Sequence, residues 1–119
     1  MRAGMSAARI VILEPATSAV LSGGEAGGHR VEGIGLGLIP PLLNRYYYDE
    51  ARAIGEAEAR NMARRLAREE GIFSGISTGL NVAGAIQLAG ELGPDCTVAT
   101  VAVDTGLKYL AGDLFNEIE

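Results

Sequence analysis

The sequence has one cysteine, one histidine, no tryptophan and one lysine (Lys108) in 119 residues. One cysteine excludes an internal disulfide, and one cysteine with one histidine excludes the usual Cys/His zinc site. No apolar run reaches the roughly 18 residues that a membrane span needs. The apolar stretch Ile10–Leu13 is too short for a secretory leader and is closed by Glu14. The chain is therefore expected to be a cytoplasmic domain with no membrane partner. Basic charge is in deficit: Lys+Arg is 10 against Asp+Glu 15, a formal net charge of −5. That balance leaves no electrostatic footprint for nucleic acid. No Ser-His-Asp set can be assembled, because Cys96 follows Pro94-Asp95 without a nearby histidine and His29 lies in a glycine-rich loop. Glycine, by contrast, is abundant, with 17 residues or about twice the usual share, and it is clustered.

The length is that of one domain. Residues 1–8 read as a disordered or frayed start, and residues 9–119 as the domain. Arg9 to Pro15 is a short β-branched run that reads as a buried parallel strand. Thr17 to Leu21 reads as a short helical turn ended by Gly23-Gly24. Residues 22–43 form a long irregular stretch that is glycine-rich and, from Val31 onward, apolar. A stretch like this is either a surface loop or backbone packed close to a ligand or partner. Residues 46–54 read as a second strand. Gly55–Glu70 reads as a helix with Ala59, Met62, Ala63, Leu66 and Ala67 on one face, acidic residues first, arginines last, and Gly71 as its stop.

After a short extended piece at residues 72–76, a second helix opens with Ser77 or Thr78 as its expected N-cap and ends at Gly93-Pro94. It is apolar nearly all round and is expected to be buried. Thr97–Val103 reads as a third strand, Asp104-Thr105-Gly106 as a turn, and the remainder as a short helix. The order predicts an α/β fold, a partial three-layer α/β/α arrangement on a small, mostly parallel sheet. Three strands leave two open edges, so the sheet reads as part of a larger one.

Two segments could carry chemistry. In Gly75-Ile76-Ser77-Thr78-Gly79, the hydroxyls either cap the helix or face a ligand at its N-terminus, with the flanking glycines admitting a flat molecule. Asp104-Thr105-Gly106 is either an ordinary turn or a ligand segment at the C-terminal end of a strand. Gly33-Ile34-Gly35-Leu36-Gly37 is not a dinucleotide fingerprint, since it runs into Pro40-Pro41 instead of a helix.

Four segments in order, ILEPATSAVLSGG, HRVEGIGLGLIPPLL, ARRLAREEGIFSGISTG and DTGLKYLAGDLF, resemble the C-terminal part of the cysteine synthase (O-acetylserine sulfhydrylase) and cystathionine β-synthase family. These are fold-type II pyridoxal-phosphate enzymes. The resemblance covers roughly residues 9–116. It implies the C-terminal half of the family's large domain, pyridoxal 5'-phosphate as cofactor, and replacement of a leaving group on an activated serine by sulfide. It implies that Ser77 hydrogen-bonds the pyridine nitrogen, with Gly75, Thr78 and Gly79 beside it. It also implies that Gly33, Ile34, Gly35 and Gly37 line the mouth of the site, near Asp104 and Thr105. A neutral hydroxyl on that nitrogen makes a weaker electron sink, which suits β-replacement.

The sequence departs from the family where the chemistry is concentrated. No P-x-x-S-x-K motif supplies the lysine that holds the cofactor, and no T-S-G-N-T-G or G-T-G-G-T loop is present. Leu107 and Lys108 stand where the family has Glu and Arg. No catalytic residue and no metal ligand is therefore assigned. The chain is expected to be inactive alone and to self-associate or pair with a chain supplying the N-terminal half, taking an amino-acid substrate only when completed. The other reading is a non-catalytic relative that serves as a binding or assembly module.

Overall fold

The computed structural model describes residues 7–116. Strand β1 (Val11–Pro15) lies parallel to β2 (Glu50–Ile54), with Val11 opposite Glu50 and Pro15 opposite Ile54. Helix α1 (Glu56–Arg65) follows β2 at once, and its last turn widens into a π-type turn over Leu66–Glu70. Gly71 stops it at φ +68°, a left-handed conformation in which a side chain would be strained. Helix α2 (Ile76–Leu92) then packs along α1 and against both strands. The α/β class and the parallel pairing are those expected.

The core joins Ile54 from β2, Ala59 and Ala63 from α1, and Ile76, Leu80 and Ala83 from α2. Val31 and Leu114 close it from the loop and the C-terminal segment. The seam between the helices depends on small residues. A Cβ added at Gly79 would run into the Ala59 carbonyl and the Ala63 nitrogen, which are backbone and cannot give way. A Cβ at Gly84 would meet only the end of the Leu13 side chain. Arg60 of α1 is buried as well and hydrogen-bonds Asp113.

The long segment between the strands is tied down by side chains. The Glu14 carboxylate accepts from the Leu21 and Ser22 backbone N–H groups at 2.8 and 2.5 Å. The His29 ring accepts from Val31 N at 3.1 Å through Nδ1, so its Nε2–H is the donor to the Gly35 carbonyl at 2.7 Å. The apolar part of the segment is not packed inward throughout: Val31 is buried, while Leu36, Leu38 and Leu42 are exposed.

The structure corrects several expectations. The second strand is shorter than residues 46–54, because Arg45–Tyr47 forms a 3-10 turn capped by the Asn44 side chain. The third strand does not form: Thr97–Val103 enters no ladder among the described residues, so its β-branched side chains have no neighbouring strand to pack on. Residues 72–76 contribute one antiparallel bridge, Ser74 to Thr105. Neither Ser77 nor Thr78 is the cap of α2; Gly75 is, and both hydroxyls lie inside the first turn. Helix α2 is not buried all round: its first half and Leu88 are buried, while Ile86 and Leu92 reach solvent. The expectation of a frayed start at residues 1–8 lies, for 1–6, outside the described residues.

Candidate functional site

The start of α2 is held by Asp104. Its Oδ1 accepts from the Gly75 N–H at 3.2 Å and its Oδ2 from the Tyr109 hydroxyl at 2.7 Å. The Tyr109 ring and the Asp104 carboxylate crowd Gly75 so closely that no side chain fits there. Burial, and then the Asp104 carboxylate, push the Tyr109 phenol well above its ordinary value, so it stays a neutral donor. Thr78, 1% exposed, accepts from the Val103 N–H at 3.0 Å. These bonds fix the first turn of α2 from two sides, and the cap residue, Gly75, has no side chain of its own to bond the N–H groups that follow it.

Ser77, one residue earlier and 6% exposed, belongs to the wall of a cavity of about 370 Å³. Gly33 and Ile34 from the irregular segment, and Val103 and Asp104 from the chain after α2, line it as well. Asn81, one helical turn beyond Ser77, donates to the Val101 carbonyl at 3.0 Å while lining the same cavity. Lys108 lines it too, with its ammonium 3.4 Å from Asp104 and 3.7 Å from Glu32.

Of the residues singled out in the sequence, Gly33, Ile34, Ser77 and Asp104 meet at this cavity. The others do not line it. Gly35 sits beneath His29 and Pro15, where only a residue without a side chain fits, and Gly37 is exposed. Gly75 and Thr78 anchor the helix start, and Gly79 faces α1. Thr105 accepts from Leu107 N at 3.3 Å and so caps the turn after Asp104. Sequence reasoning missed Glu32, Asn81 and Tyr109, and read Lys108 only as a departure from a motif. Asn81 was findable, since it lies four residues beyond Ser77 on the same face of α2. Glu32 was not, because it reaches the cavity only through the fold of the irregular segment. No cluster of metal-binding side chains occurs among the described residues.

The cavity lies at a helix N-terminus in an α/β fold, and comparison with known proteins assigns the chain's family. A family model for pyridoxal-phosphate-dependent enzymes matches residues 1–104. The chain belongs to that family. Its sequence is 48% identical over 107 residues to a cysteine synthase of Staphylococcus aureus (strain Mu50 / ATCC 700699) and 46% identical over 107 residues to a probable cysteine synthase of Bacillus subtilis (strain 168). In both cases the match covers 90% of this chain and 34% of the relative. The fold superimposes on O-acetyl serine sulfhydrylase isoform 3 from Entamoeba histolytica with a TM-score of 0.94 at 33% identity, covering 99% of this chain and 36% of that one. It also superimposes on an O-ureido-L-serine synthase with a TM-score of 0.89 at 39% identity. The architecture is thus that of the C-terminal part of fold-type II pyridoxal-phosphate enzymes, and the chain spans about a third of the length of these relatives.

The donor set fits one edge of the family's cofactor. Ser77 brings a neutral hydroxyl, able to donate to an aromatic nitrogen or accept from it. The glycine backbone at Gly33 leaves open space across the cavity, since a Cβ there would meet nothing within 4 Å. The only cationic side chain on the wall, Lys108, is engaged by two carboxylates.

Proposed function

We propose that this chain is the C-terminal portion of a cysteine-synthase-like enzyme that replaces a leaving group on an activated serine with sulfide, and that it supplies one wall of the pyridoxal-phosphate site. The observation that carries the proposal is the meeting of Ser77, Gly33–Ile34 and Asp104 at one cavity, on a backbone shared with O-acetyl serine sulfhydrylase. Pyridoxal phosphate, when bound, supplies the electron sink that lets a group leave the β-carbon of an amino acid. Ser77 would hold the pyridine nitrogen, and its neutrality keeps that sink moderate. Asp104 and Tyr109 act one step back: they fix Gly75, and so the start of the helix that carries Ser77. Gly33 and Ile34 would line the entrance.

The nucleophilic amine that anchors the cofactor, and the groups for its phosphate and for the substrate carboxylate, come from another polypeptide region. The one lysine of this chain stands paired with Asp104 and Glu32, so the lone chain is inactive in this reading. The experiment is complementation. The chain is joined, in one polypeptide, to the two-thirds of the S. aureus cysteine synthase that it does not match. The joined protein should retain pyridoxal phosphate through desalting and form cysteine from O-acetylserine and sulfide. A Ser77→Ala version should keep its fold and lose most of the turnover, with a displaced cofactor absorption band. A joined protein that folds yet retains no cofactor would refute the proposal.

A further inference from the structure

The irregular segment reaches the candidate cavity at three successive residues, Glu32, Gly33 and Ile34. Among the described residues, their backbone makes no hydrogen bond of its own. Gly33 and Gly35 leave this stretch with little stiffness. The Ile34 side chain packs against the core, and the exposed Glu32 pairs with Lys108 at 3.7 Å. The backbone bonds that flank the three residues stand on Val31 and Gly35, and both run to one side chain. Val31 N–H donates to Nδ1 of His29 at 3.1 Å, and Nε2–H of the same ring donates to the Gly35 carbonyl at 2.7 Å. The backbone on either side of His29 is itself tied to the scaffold. Thr17 Oγ1, just after β1, donates to the Gly28 carbonyl at 2.8 Å, and the Arg30 N–H donates to the Glu56 carboxylate, at the start of α1, at 2.6 Å.

We infer that His29 is a positioning residue of the candidate site: its ring braces residues 32–34 as one wall of the cavity, already in the free chain. The inference rests on the function proposed above for what that wall serves, and deepens it by naming what holds the wall. Imidazole suits the task because one rigid ring carries an acceptor and a donor on different edges. It spans from the buried Val31 to Gly35, which is seated against Pro15 at the end of β1. His29 does not itself line the cavity, so it acts through Glu32, Gly33 and Ile34.

The Glu32–Lys108 pair reports the position of the wall without any activity. Carbodiimide treatment of the free chain should join the two side chains as an amide, read by mass spectrometry of the linked peptides. His29→Ala should cut the yield of that link about fivefold or more, since two hydrogen bonds are lost. It should also speed amide exchange at Val31 about tenfold or more while the melting transition stays cooperative. Two further variants separate the bonds. His29→Asn places an acceptor near Nδ1 and should keep Val31 protected; His29→Gln places a donor near Nε2 and should not. Each should give a link yield between those of the wild type and His29→Ala. In the joined protein described above, His29→Ala should raise KM for O-acetylserine about tenfold and change kcat by less than about threefold, because a loosened entrance weakens ground-state and transition-state binding alike. A wild-type link yield in His29→Ala, or a lost link with unchanged KM, would overturn the inference. Loss of cooperative melting in all three variants would overturn it too, because the ring would then serve the whole fold and not the wall. A joined protein without activity would refute the function, and the link and exchange in the free chain would then decide the inference alone.

Discussion

The seam between α1 and α2 and the surface formed by residues 36–47 and 97–110 are built from similar apolar residues and meet opposite fates. At the seam, Ala59, Ala63 and Leu80 are fully buried, and Gly79 lets two backbones touch. On the surface, Leu42 is 98% exposed, and Tyr46, Val101 and Leu107 are more than half exposed. The difference lies in what packs against them. Exposed apolar area of this extent is a mark of surface meant to be covered. One part of the molecule is a finished core, and the other, in the function proposed above, is half of a core completed by the rest of the enzyme. The candidate site lies on the boundary between them: Ser77 is anchored by the finished part, while Lys108 and Glu32 stand on the open side.

The comparison predicts a graded response to mutation. Leu80→Ala, at 0% exposure in the centre of the core, should cost about 2–5 kcal/mol of stability, while Leu42→Ala should change it by less than about 0.5 kcal/mol. Chemical denaturation of both variants checks the pair, and equal effects would erase the distinction between the regions. Gly79→Ala should cost roughly 1–3 kcal/mol because its neighbours are backbone, and Gly84→Ala less because Leu13 can turn away. Tyr109→Phe, which removes a bond to the carboxylate that fixes Gly75, should cost about 1–2 kcal/mol and raise hydrogen exchange at the start of α2.

Acid should loosen the contact between α1 and the C-terminal segment. The Arg60 guanidinium holds the Asp113 carboxyl below its ordinary value of 3.8. A carboxyl whose folded-state value is depressed stabilises the fold fully above its unfolded value, and that contribution is lost as pH falls through the folded value. A thermal-melting series from neutral pH downward should therefore lose stability below about pH 4, and Asp113→Asn should flatten that loss. The smallest effect is expected at Ser74, whose buried hydroxyl has no partner among the described residues: Ser74→Ala should be neutral or slightly stabilising.

Much of the fold was legible in the sequence because local signals and packing agreed. The spacing of Ala59, Met62, Ala63 and Leu66 marked the buried face of α1, and Gly71 and Gly93 marked real stops. Where the two disagreed, the sequence misled. Thr97–Val103 has strand composition without a ladder, because pairing needs a neighbour that composition cannot supply. Ser77 and Thr78 looked like caps, but the Asp104 and Tyr109 contacts move the helix start back to Gly75. The site was half legible. Ser77, Asp104 and the Gly33–Ile34 backbone were on the page as motifs, whereas Glu32 joins them only through a loop folded around His29, and Lys108 through the 3-10 turn that follows Asp104.

The central claim is that this chain forms one wall of a cofactor site and does not hold the cofactor by itself. The most direct measurement incubates the purified chain with pyridoxal phosphate, desalts it, records the visible spectrum, and follows borohydride reduction by mass spectrometry. The account predicts no retained absorption band and no reduced adduct on the protein. A retained band with a reduced adduct mapped to Lys108 would contradict it, because the chain would then anchor the cofactor through its own lysine.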